Sequence, residues 1–137
     1  MKQRSVCHPE VAKGGRGIEA FFFVLLALTA CSFQNAHERI ADAVTRAVID
    51  NDLQPVMNRL EPSIAGELTR VRVAQISDEL SARGTYQGLK QTSDSWCPQG
   101  LLCFDVRFEH GTYHELLKLA KDGKVRYWWI RAAPKQS

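Results

Sequence analysis

The spacing of apolar positions changes once along the chain, from a helical repeat to a strand-like alternation. Apolar side chains recur every three or four residues over 40–49, after a capping pattern that begins at Asn35. The stretch 53–60 predicts two short helical turns, and the stretch 63–83 predicts a longer helix that Gly84 ends. We therefore predict three helical segments in the first half of the domain.

After Gly84 the apolar positions alternate with polar ones, as they do in half-buried strands. Phe104, Val106 and Phe108 form the apolar face of the second strand, and the Asp-Gly pair before Lys124 predicts a hairpin. The four predicted strands cover residues 85–96, 101–110, 112–120 and 125–131. We expect an antiparallel meander with one face covered by the helices, which is an α+β fold.

The chain begins with a targeting pattern. Lys13 and Arg16 precede the apolar run Ala20–Ala30, which contains 11 residues and ends in small side chains. A helix of that length rises about 16 Å, roughly half the thickness of the hydrocarbon core of a bilayer. We therefore interpret this run as an export signal, not as a transmembrane helix.

The sequence Leu28-Thr-Ala-Cys31 resembles the lipobox of bacterial lipoproteins. The resemblance implies cleavage between Ala30 and Cys31, and attachment of fatty acids such as palmitate to Cys31. Several acyl chains make membrane anchoring stable, and Ser32 favours sorting to the outer membrane with the domain facing the periplasm. The alternative is an ordinary secretory signal in which Cys31 is incidental.

These features divide the chain into four parts. The parts are a signal peptide (1–30), a lipidated tether (31–35), an α+β domain (36–131) and a C-terminal tail (132–137). The path from Cys31 to Ala36 spans less than about 18 Å, so the domain would sit close to the bilayer. After the signal is removed, 14 basic and 13 acidic side chains remain, and this near-neutral balance argues against nucleic acid as a partner.

Cys97 and Cys103 are the two cysteines that remain in the domain. Export would place them in an oxidising compartment, and the turn residues between them allow a disulfide. A metal site and a redox dithiol are the alternatives. The three histidines of the domain are not spaced with the cysteines as zinc motifs require, and no Cys-x-x-Cys is present. We therefore predict a structural disulfide, no metal and no cofactor.

Two local motifs carry a resemblance to a known family. The step Ser81-Ala-Arg-Gly-Thr-Tyr86 and the hairpin Lys121-Asp-Gly-Lys-Val125, within the order of helices followed by a meander, resemble a bacterial family of unknown function. That family belongs to the cystatin-like, nuclear-transport-factor-2-like superfamily. The resemblance covers about residues 36–131 and implies helices packed on a curved four-stranded sheet that forms a cone. It implies no activity, because the superfamily includes both enzymes and noncatalytic modules.

The predicted strands contain few candidate catalytic side chains. The second strand directs its apolar side chains inward and Asp105 outward, which leaves His110 near the rim. His114 and Glu115 fall on opposite faces of the third strand, and which of them faces inward stays open. We predict no catalytic residue. A small-molecule enzyme or ligand carrier that uses the cone cavity is kept as an alternative.

Adjacent tryptophans in the last strand suggest a binding surface. Trp128 and Trp129 must point to opposite faces of the strand. Val125 and Tyr127 share a face with Trp129, and this more apolar set favours Trp128 as the outer tryptophan. We expect Trp128, with Arg126 and Arg131, to form an interface with an envelope protein or a second copy of the chain. The alternatives are an outer tryptophan covered within the monomer, or one that faces lipid. A noncatalytic binding or assembly module is the function that this pattern favours.

Overall fold

A computed structural model describes residues 34–134 of the chain. Its helical segments are α1 (Ala36–Ile49), a 3₁₀ segment (Gln54–Arg59), α2 (Pro62–Glu67) and α3 (Arg70–Ser81). The strands are β1 (Tyr86–Thr92), β2 (Leu102–Phe108), β3 (Gly111–Leu119) and β4 (Val125–Ala132). The predicted α+β class is confirmed. The predicted signal peptide, its cleavage after Ala30 and the acylation of Cys31 lie outside the described residues.

The four strands form one antiparallel sheet in the order β1-β2-β3-β4. Consecutive strands are neighbours because short turns join β2 to β3 and β3 to β4. The second of these turns places Gly123 at φ 83°, a conformation that glycine adopts without a steric penalty. The predicted four-stranded meander is therefore confirmed.

α1 begins at a reciprocal cap. The Asn35 side chain accepts a hydrogen bond from the Glu38 backbone N–H at 2.8 Å, and Glu38 Oε2 accepts one from the Asn35 N–H at 3.1 Å. The Asn35 amide also donates to Gln91 Oε1 at 3.0 Å, which fastens the start of the helix to β1. The cap predicted from the sequence is thus a contact between the first helix and the sheet as well.

The prediction of one long helix over residues 63–83 is wrong. Leu68 has a non-helical backbone (φ −82°, ψ 64°) and is buried, and the Thr69 side chain caps a new helix by accepting from the Arg72 N–H at 3.3 Å. A capping threonine satisfies backbone donors that a continuous helix would not leave free, so it favours a restart. β1 likewise ends at Thr92, before the predicted end, because residues 93–101 leave the sheet and fold over it.

The core lies between α1 and the inner face of the sheet. The predicted inward set of β2, Phe104, Val106 and Phe108, is confirmed as buried. α1 contributes a stripe of small and β-branched side chains that packs against them. The buried residues of α1 are Ala41, Val44, Thr45, Ala47 and Val48.

The prediction that Trp128 is the outer tryptophan is wrong. Trp128 is 4% exposed and belongs to the core, whereas Trp129 lies half-buried on the opposite face. The two do point to opposite faces, as strand alternation requires. The prediction failed because it counted alternation from the first residue of β4.

A β-bulge at the start of β4 explains this reversal. β3 advances one residue, from Lys118 to Leu119, while its partners on β4 are Tyr127 and Val125. Arg126 is therefore the extra residue, and the alternation of faces shifts by one position across it. Val125 and the tryptophan three residues later consequently both face the core.

Candidate functional site

The outer face of the sheet carries a loop that the disulfide holds in place. Cys103 is buried on β2 and is bonded to Cys97 in the loop that precedes this strand, with the two Cα atoms 5.8 Å apart. The predicted disulfide is confirmed. Because the bridge joins the loop to the middle of the sheet, the loop covers side chains that would otherwise face solvent.

His114 is the main side chain that this loop covers. The Trp96 ring stacks on the imidazole with 3.7 Å between centroids and 3° between planes, and His114 is only 8% exposed. Burial lowers the pKa of His114; the charge of Asp105, whose Oδ1 lies 3.6 Å from Nε2, opposes this shift, and Arg131 adds to it. Among the described residues, His114 Nδ1 has no hydrogen-bond partner.

The inner face of the sheet buries the carboxyl group of Glu115, the residue next to His114 on β3. Glu115 is fully buried; the Thr45 hydroxyl donates to its Oε2 at 2.5 Å, and the Trp128 indole N–H donates to its Oε1 at 2.8 Å. Burial raises the pKa of Glu115 to about 8, and the two hydrogen bonds moderate that rise. The carboxyl is therefore mainly neutral at pH 7, which avoids the cost of an unpaired buried charge.

A second polar cluster joins α1 to β1 beside this carboxyl. The Tyr86 hydroxyl donates to Asp42 Oδ1 at 2.6 Å, and Arg46 Nε donates to Asp42 Oδ2 at 2.8 Å. The Arg46 guanidinium also lies 4.8 Å from the centroid of the Tyr86 ring. Burial, and then the hydrogen bond to Asp42, raise the pKa of Tyr86 well above its ordinary value. The hydrogen bonds of the cluster are made among its own side chains, and they hold α1 against β1.

The buried groups differ in their access to the surface: His114 lines a groove on the outer face, whereas the titratable groups on the inner face do not line any of the three grooves described below. Three large surface grooves lie among residues 34–134, and none of the three is lined by Glu115, Tyr86 or Asp42. A general acid or base must come within hydrogen-bond distance of the reacting group. In this structure α1 closes the inner face over Glu115, so its carboxyl is a structural group.

One groove separates α3 from the free side of β4. It has a volume of about 500 Å³, and Val71, on the first turn of α3, is 68% exposed at its wall. The other apolar side chains that line it are Ile64, Leu68, Ile76, Trp128, Trp129 and Ile130. Polar and charged side chains line it as well, among them Glu67, Arg72 and Glu79. A groove beside an open strand edge is a site where an extended peptide can bind.

The open side of β4 carries unpaired backbone groups. Among residues 34–134, the pairing on this side is a single bridge at the start of the strand, where the Glu61 N–H donates to the Val125 carbonyl at 2.9 Å. Ala133 N–H donates across to β3, so the alternation of an antiparallel ladder points the N–H groups of Trp128 and Ile130 to the open side. The groove therefore has a strand edge ready for hydrogen bonding.

The structure separates the three predicted interface residues. Arg126 pairs with Glu61 through two contacts of 3.1 and 3.3 Å, and Arg131 lies 5.2 Å from the centroid of the Trp129 ring. Trp128 lies on the other face, where it donates to the buried carboxyl. On the outer face of β4 the exposed Arg131 thus lies beside the half-buried Trp129, and the predicted surface containing Trp128 does not form.

Within residues 34–134, no group of three His, Cys, Asp or Glu side chains is arranged to hold a metal ion. None of the helices in that same part of the chain has the length and apolar content needed to cross a bilayer.

Comparisons of the chain with protein-family models, with curated proteins and with solved structures gave no match. Sequence reasoning placed His114 and Glu115 on opposite faces correctly but left open which faced the core. The apolar residues Tyr113 and Leu117, which flank Glu115 at a spacing of two, carry the signal that assigns it to the inner face.

Proposed function

We propose that this chain is a bacterial lipoprotein, anchored through acylated Cys31 in the outer membrane, with a noncatalytic binding module that faces the periplasm. The lipobox after the apolar run supports the anchor. The Cys97–Cys103 disulfide is consistent with it, because disulfides persist in exported proteins.

One observation carries the binding role, namely the unpaired edge of β4 beside the groove that α3 walls. An extended peptide that adds to β4 would bond to the free N–H groups of Trp128 and Ile130 and would cover Val71. The main-chain bonds would supply affinity, and the mixed apolar and charged lining of the groove would select alternate side chains of the peptide. The partner is therefore an envelope protein that offers an extended segment.

Two other functions make different demands on the structure. An enzyme or ligand carrier that uses a cone cavity needs Glu115 to be accessible, and its complete burial argues against that role. A homodimer through β4 would bring two copies of α3 to the same side of the joined sheets. A single peptide strand brings no second copy of α3 to the groove, so we favour peptide binding over a homodimer.

The family relationship is part of the proposal. The order of helices followed by a four-stranded meander supports a cystatin-like fold, as does the bulge between Tyr86 and Gly88 in β1, because bulges bend strands. An experimental structure would test this directly. A sheet that curves around α1 agrees with the proposal, and a flat sheet contradicts it.

The anchor is tested by replacing one cysteine at a time. We expect Cys31→Ser to remove incorporation of an alkyne-labelled palmitate and to move the protein out of the membrane fraction. Cys7→Ser is the matched control, since Cys7 lies in the segment that cleavage would remove, and it should change neither result. Persistent labelling of the Cys31→Ser chain would contradict the anchor.

The binding role is tested by site-specific photocrosslinking in cells. A crosslinker at Val71 in the groove should give a covalent product, while one at Asp78, which is exposed on α3 but does not line the groove, should not. Ile130→Pro removes an N–H from the open edge and should abolish the product, whereas Ile130→Ala keeps that N–H and should retain it.

The products also separate the alternatives. A product with the mass of two copies of the chain would favour the homodimer. Equal products at Val71 and Asp78, or a product that survives Ile130→Pro unchanged, would contradict peptide binding at this edge.

A further inference from the structure

Charge is divided unevenly between the β3–β4 hairpin and the rest of the domain. Residues 118–131 contain five basic and one acidic side chain, whereas residues 34–117 contain eight basic and twelve acidic ones. With histidines neutral, the formal charges are +4 and −4. The domain is therefore nearly neutral as a whole but strongly polarised, and such a field orients a protein near a charged surface.

The positive charge is concentrated where the hairpin turns. Lys118, Lys121 and Lys124 are exposed around this turn, with Asp122 as the single acid among them. Arg126 differs from the three lysines because Glu61 neutralises it. The lysines have no ion-pair partner among the described residues, so their charges are available to a partner.

An exposed aromatic side chain accompanies these lysines. Tyr127 is 39% exposed and lies directly across from Lys118 in the β3–β4 ladder. Trp129 follows it two residues later on the same face and is half-buried. Tyrosine and tryptophan beside lysines are typical of side chains at a membrane surface, where the ring enters the headgroup region and the ammonium meets lipid phosphate.

The start of α1 lies level with the middle of β3. Asn35 bonds to Gln91, which pairs with Phe104, and Phe104 pairs in turn with Glu115 at the centre of β3. β3 then continues for four residues to Leu119 before the hairpin turn. Three strand spacings, about 14 Å, separate β1 from β4. Cys31 is four residues before Asn35, which is at most about 14 Å of chain.

From this arrangement we propose that the β3–β4 hairpin is a second membrane contact, in which Lys118, Lys121, Lys124 and Tyr127 dock on an anionic lipid surface. The contact would act together with the anchor at Cys31 and rests on the proposed function to that extent. A lipid anchor and a separate hairpin contact would together hold the domain in a fixed orientation. The open edge of β4 would then stand at a defined angle to the bilayer, accessible to a partner.

The primary test measures the acetylation rate of individual lysines in the full chain. The chain is bound to vesicles of phosphatidylcholine, with or without an equal amount of phosphatidylglycerol. We expect phosphatidylglycerol to slow acetylation of Lys121 and Lys124 severalfold relative to that of Lys90, because an ammonium held against anionic lipid is shielded from the reagent. Lys90, exposed on β1 at the opposite edge, is the internal control and should react at the same rate on both vesicles. Equal protection of Lys90, Lys121 and Lys124, or protection of none of them, would overturn the proposal.

A pair of matched variants gives a second readout. Lys121→Gln with Lys124→Gln should weaken the effect of phosphatidylglycerol on vesicle binding by about 25-fold. Arg70→Gln with Arg72→Gln removes the same charge from α3 and should leave binding within about twofold, because these residues are outside the hairpin. Equal losses in both variants would mean that net charge alone acts, and the hairpin contact would be rejected.

The hairpin contact and the anchor can fail separately. The acetylation experiment is repeated with the Cys31→Ser chain, which carries no acyl group. Protection of the hairpin lysines in that chain supports the hairpin contact whatever its fractionation shows about the anchor. The proposal of a hairpin contact is overturned if phosphatidylglycerol protects the hairpin lysines neither in the Cys31→Ser chain nor in the parent chain.

Discussion

The two faces of the sheet bury neighbouring residues of β3 by different means. Glu115 on the inner face is covered by α1 and bonded to Thr45 and Trp128. His114 on the outer face is covered by Trp96, which belongs to a loop held by a disulfide. The inner group has every polar atom satisfied, while the outer group leaves Nδ1 unbonded within the described part of the chain.

This difference shows where the stability of the domain resides. The inner face is buried by packing of a helix whose own cap and apolar stripe direct it to the sheet. On the outer face His114 is covered by a nine-residue loop, 93–101, that forms neither a helix nor a strand. Such a loop needs a covalent constraint to remain in place, and the disulfide supplies it. The following predictions test the contrast.

The largest effect should separate the two tryptophans. Trp128→Ala removes a core side chain and one of the two donors to Glu115, so we expect the free energy of unfolding to fall by about 3 to 5 kcal/mol. Trp129→Ala removes a half-buried side chain and should cost about 1 kcal/mol. Urea denaturation of both variants measures the two losses, and equal losses would remove the distinction between the faces.

The next effect concerns the disulfide. Replacing both Cys97 and Cys103 by Ser should lower the free energy of unfolding by about 2 kcal/mol, as expected for a bridge that closes a short loop. Amide exchange in β2 next to the loop should speed up more than exchange in α1, because local opening of the loop adds to the common effect of the lower free energy of unfolding. An equal increase in α1 and β2 would show that the bridge supports the whole core.

The third effect is a pH dependence that originates on the inner face. The pKa of Glu115 rises from 4.5 to about 8 on folding, so its contribution to stability is complete below about pH 4.5 and is lost as the pH rises towards 8. Over this range the slope for one group approaches about 1.4 kcal/mol per pH unit. Glu115→Gln keeps an acceptor for Trp128 and should abolish that part of the slope.

Asp78→Asn is the control for this measurement, because Asp78 is exposed on α3 and its side chain bonds to neither Glu115 nor His114. Unfolding curves recorded between pH 5 and pH 8 should show the parental slope in this variant. The same slope in the Glu115→Gln chain would mean that the buried carboxyl is not the source.

The smallest effect should come from the stacked ring on the outer face. Trp96→Ala removes an aromatic contact worth about 1 kcal/mol and opens His114 to water. Because burial is the main cause of the lowered pKa of His114, we expect that pKa to rise towards its ordinary value. NMR titration of the imidazole measures the change. An unaltered pKa would show that the loop residues other than Trp96 bury the ring.

Local patterns in the sequence accounted for most of the fold. The Asn35 cap, the alternation of β2 and the Asp-Gly turn each specify a structure through contacts between residues a few positions apart, so they could be predicted without tertiary information. Cys97 and Cys103 belong with them, since seven consecutive residues contain both. Membrane attachment at Cys31 and the identity of a partner stay predictions.

The sequence by itself therefore determined the helices-then-meander order, the disulfide and the opposite orientation of adjacent side chains in a strand. Tertiary structure decided which of Trp128 and Trp129 faces the core, because the bulge at Arg126 depends on how β4 pairs with β3. It also decided that Glu115 is closed off, since its partner Thr45 is 70 positions away on α1. The open edge of β4 belongs with these features, because an edge exists only once the order of the strands is set.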